Sequence, residues 1–288
     1  MIEDIETIDE FLAHRASEVE HVIRAAAAAE IVPRFRQLSA DEIDQKSGPH
    51  DLVTDADRLA EKYLTAALTA LLPGSVVVGE EAVHADPTTY EAIRGTAPVW
   101  IVDPVDGTRQ FVHGDSGFCT LVALVLDGVV HASWTYAPAR DEFATAIRGR
   151  GAVLDGVPLR SGSPEPGRDL DVATSHPDYT TDEQKRALLG LRVEGVVPRH
   201  CGSAGLEYLA IARGELDATA FSWEAAWDHA AGLLLVEEAG GAHLTLRGEP
   251  FRVTGGNALP FTAARDEATA RRVVSLLAAR SEKVTAGA

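Results

Sequence analysis

Asp103 and Asp106 flank Pro104-Val105 and run directly into Gly107-Thr108. The apolar run Val99-Trp100-Ile101-Val102 comes just before, so Asp103 is expected at the end of a buried strand. Two carboxylates that close repel each other, and the backbone N–H groups of a Gly-Thr turn suit an anion. A bound cation that draws both carboxylates together and faces an anionic ligand reconciles these features. Three further acidic clusters are Gly79-Glu80-Glu81, Asp51-Leu-Val-Thr54-Asp55-Ala-Asp57 and Trp227-Asp228. Each has a plain structural reading when taken singly. Glu80-Glu81 suits a solvated loop end, the Asp51 cluster an N-cap, and Asp228 the first turn of an apolar helix. Arg58 and Leu59 follow the Asp51 cluster where a calcium loop of the helix-loop-helix kind needs its glycine.

The bulk composition narrows the partners. Among 288 residues, Asp and Glu outnumber Lys and Arg by 44 to 26, for a formal net charge of -18. Such a surface repels nucleic acid and anionic membranes, and neither is expected as a partner. It repels phosphate esters as well, unless a bound divalent cation reverses the local field. Cys119 and Cys201 are the two cysteines, which excludes a disulfide framework or zinc-type spacing and suggests small packed hydrophobes. No apolar run is long enough to cross a bilayer, and Met1–Glu10 is acidic, so the expected location is the cytoplasm.

These clusters need elements to position them. Helical periodicity covers Ser17–Phe35 and Leu59–Leu72, and Pro73-Gly74 ends the second. Val76–Val78 and Val99–Val102 read as buried strands. The period then changes to that of strands over Phe118–Leu126, Val129–Tyr136 and Glu142–Ile147, with Asp127-Gly128 and Asp155-Gly156 as hairpin signals. Beyond Ser161 the reading alternates. Strands are expected at Asp171–Thr174, Val193–Val197, Ala218–Phe221 and Ala242–Leu246. Helices are expected at Asp182–Leu191, Ala204–Arg213, Trp227–Ala239 and Asp266–Ala279, with fraying over Ser281–Ala288. The Ser-, Pro- and Gly-rich stretch Ser161–Arg168 is the expected linker between halves 1–160 and 161–288.

Taken together, the clusters resemble the inositol monophosphatase family, within the group that includes fructose bisphosphatases and bisphosphate nucleotidases. Gly79-Glu80-Glu81 carries the first resemblance. The second is Trp100-Ile-Val-Asp103-Pro-Val-Asp106-Gly107-Thr108, and the third is Trp227-Asp228-His-Ala-Ala-Gly232 running on to Glu238-Ala-Gly-Gly241. Lys46-Ser47 with Asp51–Asp57 and Gly202-Ser203-Ala204 match further segments, so the likeness spans roughly Lys46–Ala279. It implies an α+β fold, a layered αβαβα sandwich, and a magnesium-dependent phosphatase that forms no covalent intermediate. Two to three Mg2+ ions are implied, along with a homodimer and a small phosphorylated metabolite as substrate.

By position, the resemblance assigns Glu80, Asp103 and the Val105 carbonyl to one ion. Asp103, Asp106 and Asp228 fall to a second, with Glu80 aiding a third. Asp57 and Thr108 would orient and deprotonate the attacking water, and the Gly107 and Thr108 N–H groups would receive phosphate. Asp106, Ser203, Ala204 and Asp228 fall on the substrate side. Family members that act on inositol phosphates carry a glutamate seven residues before the last aspartate, where this chain has Phe221. Phe221 is thus expected to face the alcohol half of the ester, with Glu224 as a candidate replacement contact. Arg109 and His113 flank the same region. The candidate substrates are inositol phosphate, histidinol phosphate, a sugar phosphate or a nucleotide bisphosphate. A haloacid-dehalogenase-type phosphatase needs Asp-x-Asp after an apolar strand; Asp103-x-x-Asp106 has the wrong spacing and Asp55-Ala-Asp57 lacks the strand. A non-catalytic binding or regulatory relative would be expected to have lost a ligand, and all are present.

Overall fold

The computed structural model describes residues 7–46 and 52–285, with side chains as far as residue 279. Residues 1–6, 47–51 and 286–288 lie outside the described residues; Ser47, Asp51 and the acidic start of the chain, which entered the readings above, fall among them. Chain order begins with α1 (Ile8–His14), α2 (Ala16–Ala26), β1 (Ile43–Gln45), β2 (Leu52–Thr54), α3 (Asp55–Leu71), β3 (Val76–Gly79) and α4 (Glu80–Ala85). It continues through β4 (Val99–Asp106), α5 (Thr108–Val112), β5 (Cys119–Leu126), β6 (Val129–Ala137), β7 (Glu142–Ile147), β8 (Gly151–Leu154) and β9 (Val157–Pro158). The second half supplies β10 (Leu170–Thr174), α6 (Asp182–Leu188), β11 (Val196–His200), α7 (Ala204–Ala212) and β12 (Ala218–Ala220). It ends with α8 (Ala226–Glu238), β13 (Ala242–Leu244), β14 (Thr262–Ala264) and α9 (Glu267–Thr285).

Five layers result. A seven-stranded sheet runs β3-β4-β5-β6-β7-β8-β9, and a five-stranded sheet runs β11-β10-β12-β14-β13. One face of the first sheet, with Trp100, Val122 and Trp134, packs on α1–α3 through Phe11, Ile23, Leu64 and Leu68. Its other face, with Ile101, Leu121 and Ala123, packs on Leu209, Ala230 and Leu234 of α7 and α8. The far sides of those helices meet the second sheet through Tyr208, Leu233, Phe261 and Ala263. α9 covers the remaining face with Ala270, Val273 and Leu277. This is the layered α+β sandwich that the resemblance implied. The α7–α8 crossing is tight enough that a Cβ on Gly232 would overlap the Tyr208 ring, which explains a glycine inside an apolar helix despite its conformational cost.

Several element boundaries differ from the expectation. α3 starts at Asp55 rather than Leu59 because Thr54 is its N-cap, and Asp57 closes a reciprocal capping box. The cap is therefore Thr54, not an aspartate. β4 does not stop at Val102: its backbone stays paired with β5 as far as Asp106, with a register shift between Asp103 and Asp106 that accommodates Pro104. The strand expected at Val193–Val197 is Val196–His200, paired in parallel with β10. Gly195 adopts φ 80 ahead of it, a left-handed turn that no strand continues through. β13 ends at Leu244, and α9 runs past Ala279 to Thr285. The short elements α4, α5 and β14 carried no periodic signal.

Candidate active site

Strand β4 and the helix starts around it build the site. At its C-terminal end β4 delivers Asp103 and Asp106, both buried. Val105 N donates to Asp103 Oδ1 at 3.0 Å, which fixes that carboxylate across the bulge. Gly107 follows with φ 92. A Cβ there would lie 2.8 Å from Gly117 O, so glycine is needed both for the turn and for the close approach. α8 brings in Asp228 from its first turn. One carboxylate oxygen from each of Asp103, Asp106 and Asp228 lies within 4.8 Å of the other two.

Asp106 is held by the start of α7. Its Oδ2 accepts from Ser203 Oγ at 2.6 Å and Gly205 N at 2.6 Å, and its Oδ1 accepts from Ala204 N at 3.2 Å. Burial pushes its pKa up, and these donors pull it back. For Asp103, burial and then the charges of Glu80, Asp106 and Asp228 push the pKa well above the usual carboxylate range. Asp228 is driven the same way by its surroundings, then by Asp106 and Glu80, while the Trp223 indole opposes the shift. Three such carboxylates cannot all ionise without a cation among them. An all-oxygen donor set suits a hard divalent ion such as magnesium, so the residues present fit that group.

Beneath this cluster lies Asp57. Its Oδ2 accepts from Thr54 N at 2.8 Å and Thr54 Oγ1 at 2.6 Å. Its Oδ1 faces Thr108 Oγ1 at 3.2 Å, and that hydroxyl is also 3.0 Å from Val105 O. Burial raises Asp57 to about 7, with Thr54 opposing and the charges of Glu80 and Glu81 adding to the rise. Glu80 opens α4 and accepts from Lys46 Nζ at 2.7 Å; the same ammonium bonds Glu81. Glu61, one helical turn beyond Asp57 on α3, accepts the N–H groups of Glu81 and Ala82, both at 2.8 Å. It thereby anchors the start of α4. Burial pushes Glu61 to about 7 as well. Sequence reasoning passed over Glu61, although an acid on the buried face of an amphipathic helix was a usable signal.

A cleft of about 670 Å³ opens above these groups, lined by Glu80, Asp106, Gly107, Thr108, Ala204 and Asp228 among others. Asp57, Asp103 and Ser203 sit just below its floor, buried. Arg109 lines the cleft and pairs with Asp178 at 2.9 Å. His113 is not among the lining residues; its Nδ1 lies 2.6 Å from Arg109 O. Cys201 lines the cleft too, half-buried, while Cys119 is buried against Asp106.

Two expected substrate-side residues are elsewhere. Phe221 has no exposed surface and packs in an aromatic cluster with Tyr208, Trp223, His229 and Phe261. A bridge with Phe261 turns it inward, with N–H···O distances of 2.8 and 2.9 Å. Glu224 Oε2 accepts from Asn257 N at 2.9 Å and Asn257 Nδ2 at 3.0 Å, and it does not line the cleft. Trp223 and Trp227 stand on that wall instead.

Comparison with known proteins gives one consistent family. The profile described as "Inositol monophosphatase family" matches residues 13–282. An inositol-1-monophosphatase of Rhizobium meliloti is 41% identical over 202 residues, 67% of this chain and 72% of that protein. One from Bacillus subtilis is 34% identical over 213 residues, 73% of this chain and 78% of that protein. The solved inositol monophosphatase of Zymomonas mobilis superposes with a TM-score of 0.75 at 25% identity, covering 92% of this chain and 98% of the other.

Proposed function

The chain belongs to the inositol monophosphatase family, and from that membership we propose that it hydrolyses a small phosphate monoester of the inositol 1-phosphate kind to alcohol and inorganic phosphate, with magnesium. The observation that carries this reading is the convergence of Asp103, Asp106 and Asp228 within 4.8 Å at the cleft floor. Asp103, Asp106 and Asp228 would hold the metal, with Glu80 and the Val105 carbonyl completing a donor set for two to three ions. When bound, magnesium neutralises phosphate charge and makes a water acidic enough to attack.

The chain's own groups orient that chemistry. Thr108 Oγ1 lies between Val105 O and Asp57 Oδ1, so it can pass a proton from the attacking water to Asp57. Asp57 cannot swing away, because Thr54 holds its other oxygen twice. Burial, with the charges of Glu80 and Glu81 adding to it, raises its pKa to about 7, so a cation that neutralises those carboxylates would favour its ionised form. The Gly107 and Thr108 N–H groups, at the head of α5, receive the phosphate oxygens. Ser203 and Ala204 set Asp106 toward the cleft. Lys46, already on Glu80, adds a buried cation to the cleft lining. The family resemblance extends the proposal to a cytoplasmic homodimer, whose oligomeric state light scattering of the purified protein checks.

The test is phosphate release by the purified protein from a panel of monoesters, with magnesium and with chelator. Release from at least one ester that stops in chelator is expected. No release from any ester, or equal release in chelator, overturns the reading.

A further inference from the structure

The cleft floor is acidic, but the wall next to Asp228 is aromatic. Trp223 and Trp227 both line it. The Trp223 indole Nε1 donates to Asp228 Oδ2 at 2.7 Å, so its polar edge is fixed at the floor beside the phosphate position. Its ring is backed by Phe221, with centroids 4.5 Å apart, and by His229 at 5.1 Å. Trp227 is braced from behind by Tyr90 in an edge-to-face contact at 6.0 Å. Both indoles are half-buried: each is held on one side and open to the cleft on another.

The stretch that carries the two tryptophans offers the cleft no polar side chain besides the indoles and Asp228, although Gln110, His176 and Tyr179 also line it. Glu224 is committed to Asn257, and Ala225 lines the cleft between the two tryptophans. Among the described residues, Glu80, Asp106 and Asp228 are the carboxylates that line the cleft, and all three belong to the floor. A polyol would have to find its hydrogen-bond partners at the floor and at residues such as Gln110, His176 and Tyr179, because the indole faces offer its hydroxyls none. A planar ring loses little on desolvation and gains from stacking and edge contacts. The 670 Å³ cleft leaves room for such a ring beyond the phosphate.

On the reading that the chain is a phosphate monoester hydrolase, we propose that Trp223 and Trp227 are specificity-determining residues. They select esters whose alcohol half carries a planar aromatic or heteroaromatic ring close to the phosphate. Phe221 and Tyr90 act indirectly, by holding the two indoles in place.

The test compares benzyl phosphate with cyclohexylmethyl phosphate, two alkyl esters of similar size and leaving-group basicity that differ in ring planarity. With the magnesium-loaded full chain, kcat/KM should favour the benzyl ester by about tenfold, the size expected of one or two ring contacts. Trp227→Leu and Trp223→Phe, checked for folding by circular dichroism, are read through the ratio of the two esters, so a general loss of activity cancels. Trp227→Leu should bring the ratio close to one, and Trp223→Phe should keep most of it. Direct binding of benzylphosphonate and cyclohexylmethylphosphonate by calorimetry should show the same preference without turnover. A wild-type ratio near one, or a ratio unchanged in Trp227→Leu, overturns the proposal. If no ester of the panel is hydrolysed but benzylphosphonate still binds preferentially, the hydrolase reading fails and the aromatic subsite stands.

Discussion

Ser203 Oγ donates a 2.6 Å hydrogen bond to Oδ2 of Asp106, joining residues 97 positions apart. The bond ties the start of α7 to the end of β4, so the second half of the chain sets a carboxylate supplied by the first. Ser203 also caps α7 by accepting from Leu206 N at 3.2 Å. One serine thus serves the helix and a carboxylate proposed to ligate metal together.

Ser203→Ala should weaken magnesium more than it weakens chemistry. Asp106 keeps the N–H groups of Ala204 and Gly205, but it loses a hydrogen bond to a charged oxygen, a contact of about 1.5–3 kcal/mol. The magnesium concentration for half-maximal activity should rise about tenfold or more, with kcat at saturation largely retained. An unchanged magnesium titration would show that the Ser203–Asp106 bond does not set metal affinity.

Asp103→Asn tests the centre of the cluster. The amide keeps the shape of the side chain but not its charge, at a position facing Asp106 and Asp228. Turnover should fall about a thousandfold or more, about 4 kcal/mol of transition-state stabilisation. The fold should persist, because the substitution relieves repulsion in a buried acidic group. Turnover near wild type at saturating magnesium would remove Asp103 from the site.

Metal removal and pH are linked. Burial raises the folded-state pKa of Asp57 and of Glu61 to about 7, against about 4 in an unfolded chain. A raised carboxyl favours the folded protein while it is protonated. That stability is complete below about pH 4 and is lost as pH rises toward 7. The chelated protein should therefore lose melting temperature between pH 5 and pH 8 by this route. Magnesium binds the native state and should restore it, by about 2.7 kcal/mol at a hundred times its dissociation constant. The magnesium-induced rise should be several degrees at pH 8 and smaller at pH 5. A rise that is larger at pH 5 contradicts this electrostatic account.

Glu61→Gln addresses the support of Glu80. Both Glu61 oxygens accept N–H groups at the start of α4, and an amide offers only one acceptor there. The variant should lose about 1–3 kcal/mol of stability, and its magnesium requirement should rise because Glu80 is less firmly placed. Should the melting temperature fall with no change in the magnesium titration, Glu61 is only a helix cap.

The Asp103–Asp106 turn was legible because an apolar run, a turn and acids fall at fixed offsets along one strand, whereas the layer order came from the family resemblance. The Asp51–Asp57 cluster was legible as a helix start, but the cap is Thr54 rather than an aspartate, and the role of Asp57 came from the resemblance. The strand at β11 was misplaced because the expected stretch Val193–Val197 straddles Gly195, and the left-handed turn there moves pairing to Val196–His200. α4 and α5 are too short for a helical period to register. Trp223 and Glu61 act through contacts made only when distant elements pack: the helical period could flag Glu61 as a buried acid, but no local spacing names its partners Glu81 and Ala82 or the Asp228 bond of Trp223. The expectation for Phe221 assumed that the loop before α8 presents that side chain to the cleft, whereas pairing with Phe261 points it into the core.

That last difference is itself testable. On the sequence alone, Phe221→Glu would be expected to create a polyol contact and favour inositol 1-phosphate. In the structure Phe221 is 0% exposed and touches the rings of Tyr208, Trp223, His229 and Phe261. His229 is a poor counter-ion, because burial lowers its pKa to about 3 in the wild-type cluster. A carboxylate there would lie unpaired in an apolar cluster, at a cost of several kcal/mol on top of the lost ring packing. Against a total stability of about 5–15 kcal/mol, that is enough to unfold much of the protein. Phe221→Glu should therefore express poorly or melt far below wild type. The milder Phe221→Leu should fold, with a stability loss of about 1–3 kcal/mol and a weaker preference for ring-bearing esters as Trp223 loosens. A Phe221→Glu protein as stable as wild type that turns over inositol 1-phosphate faster would return this residue to the cleft wall and refute the core assignment.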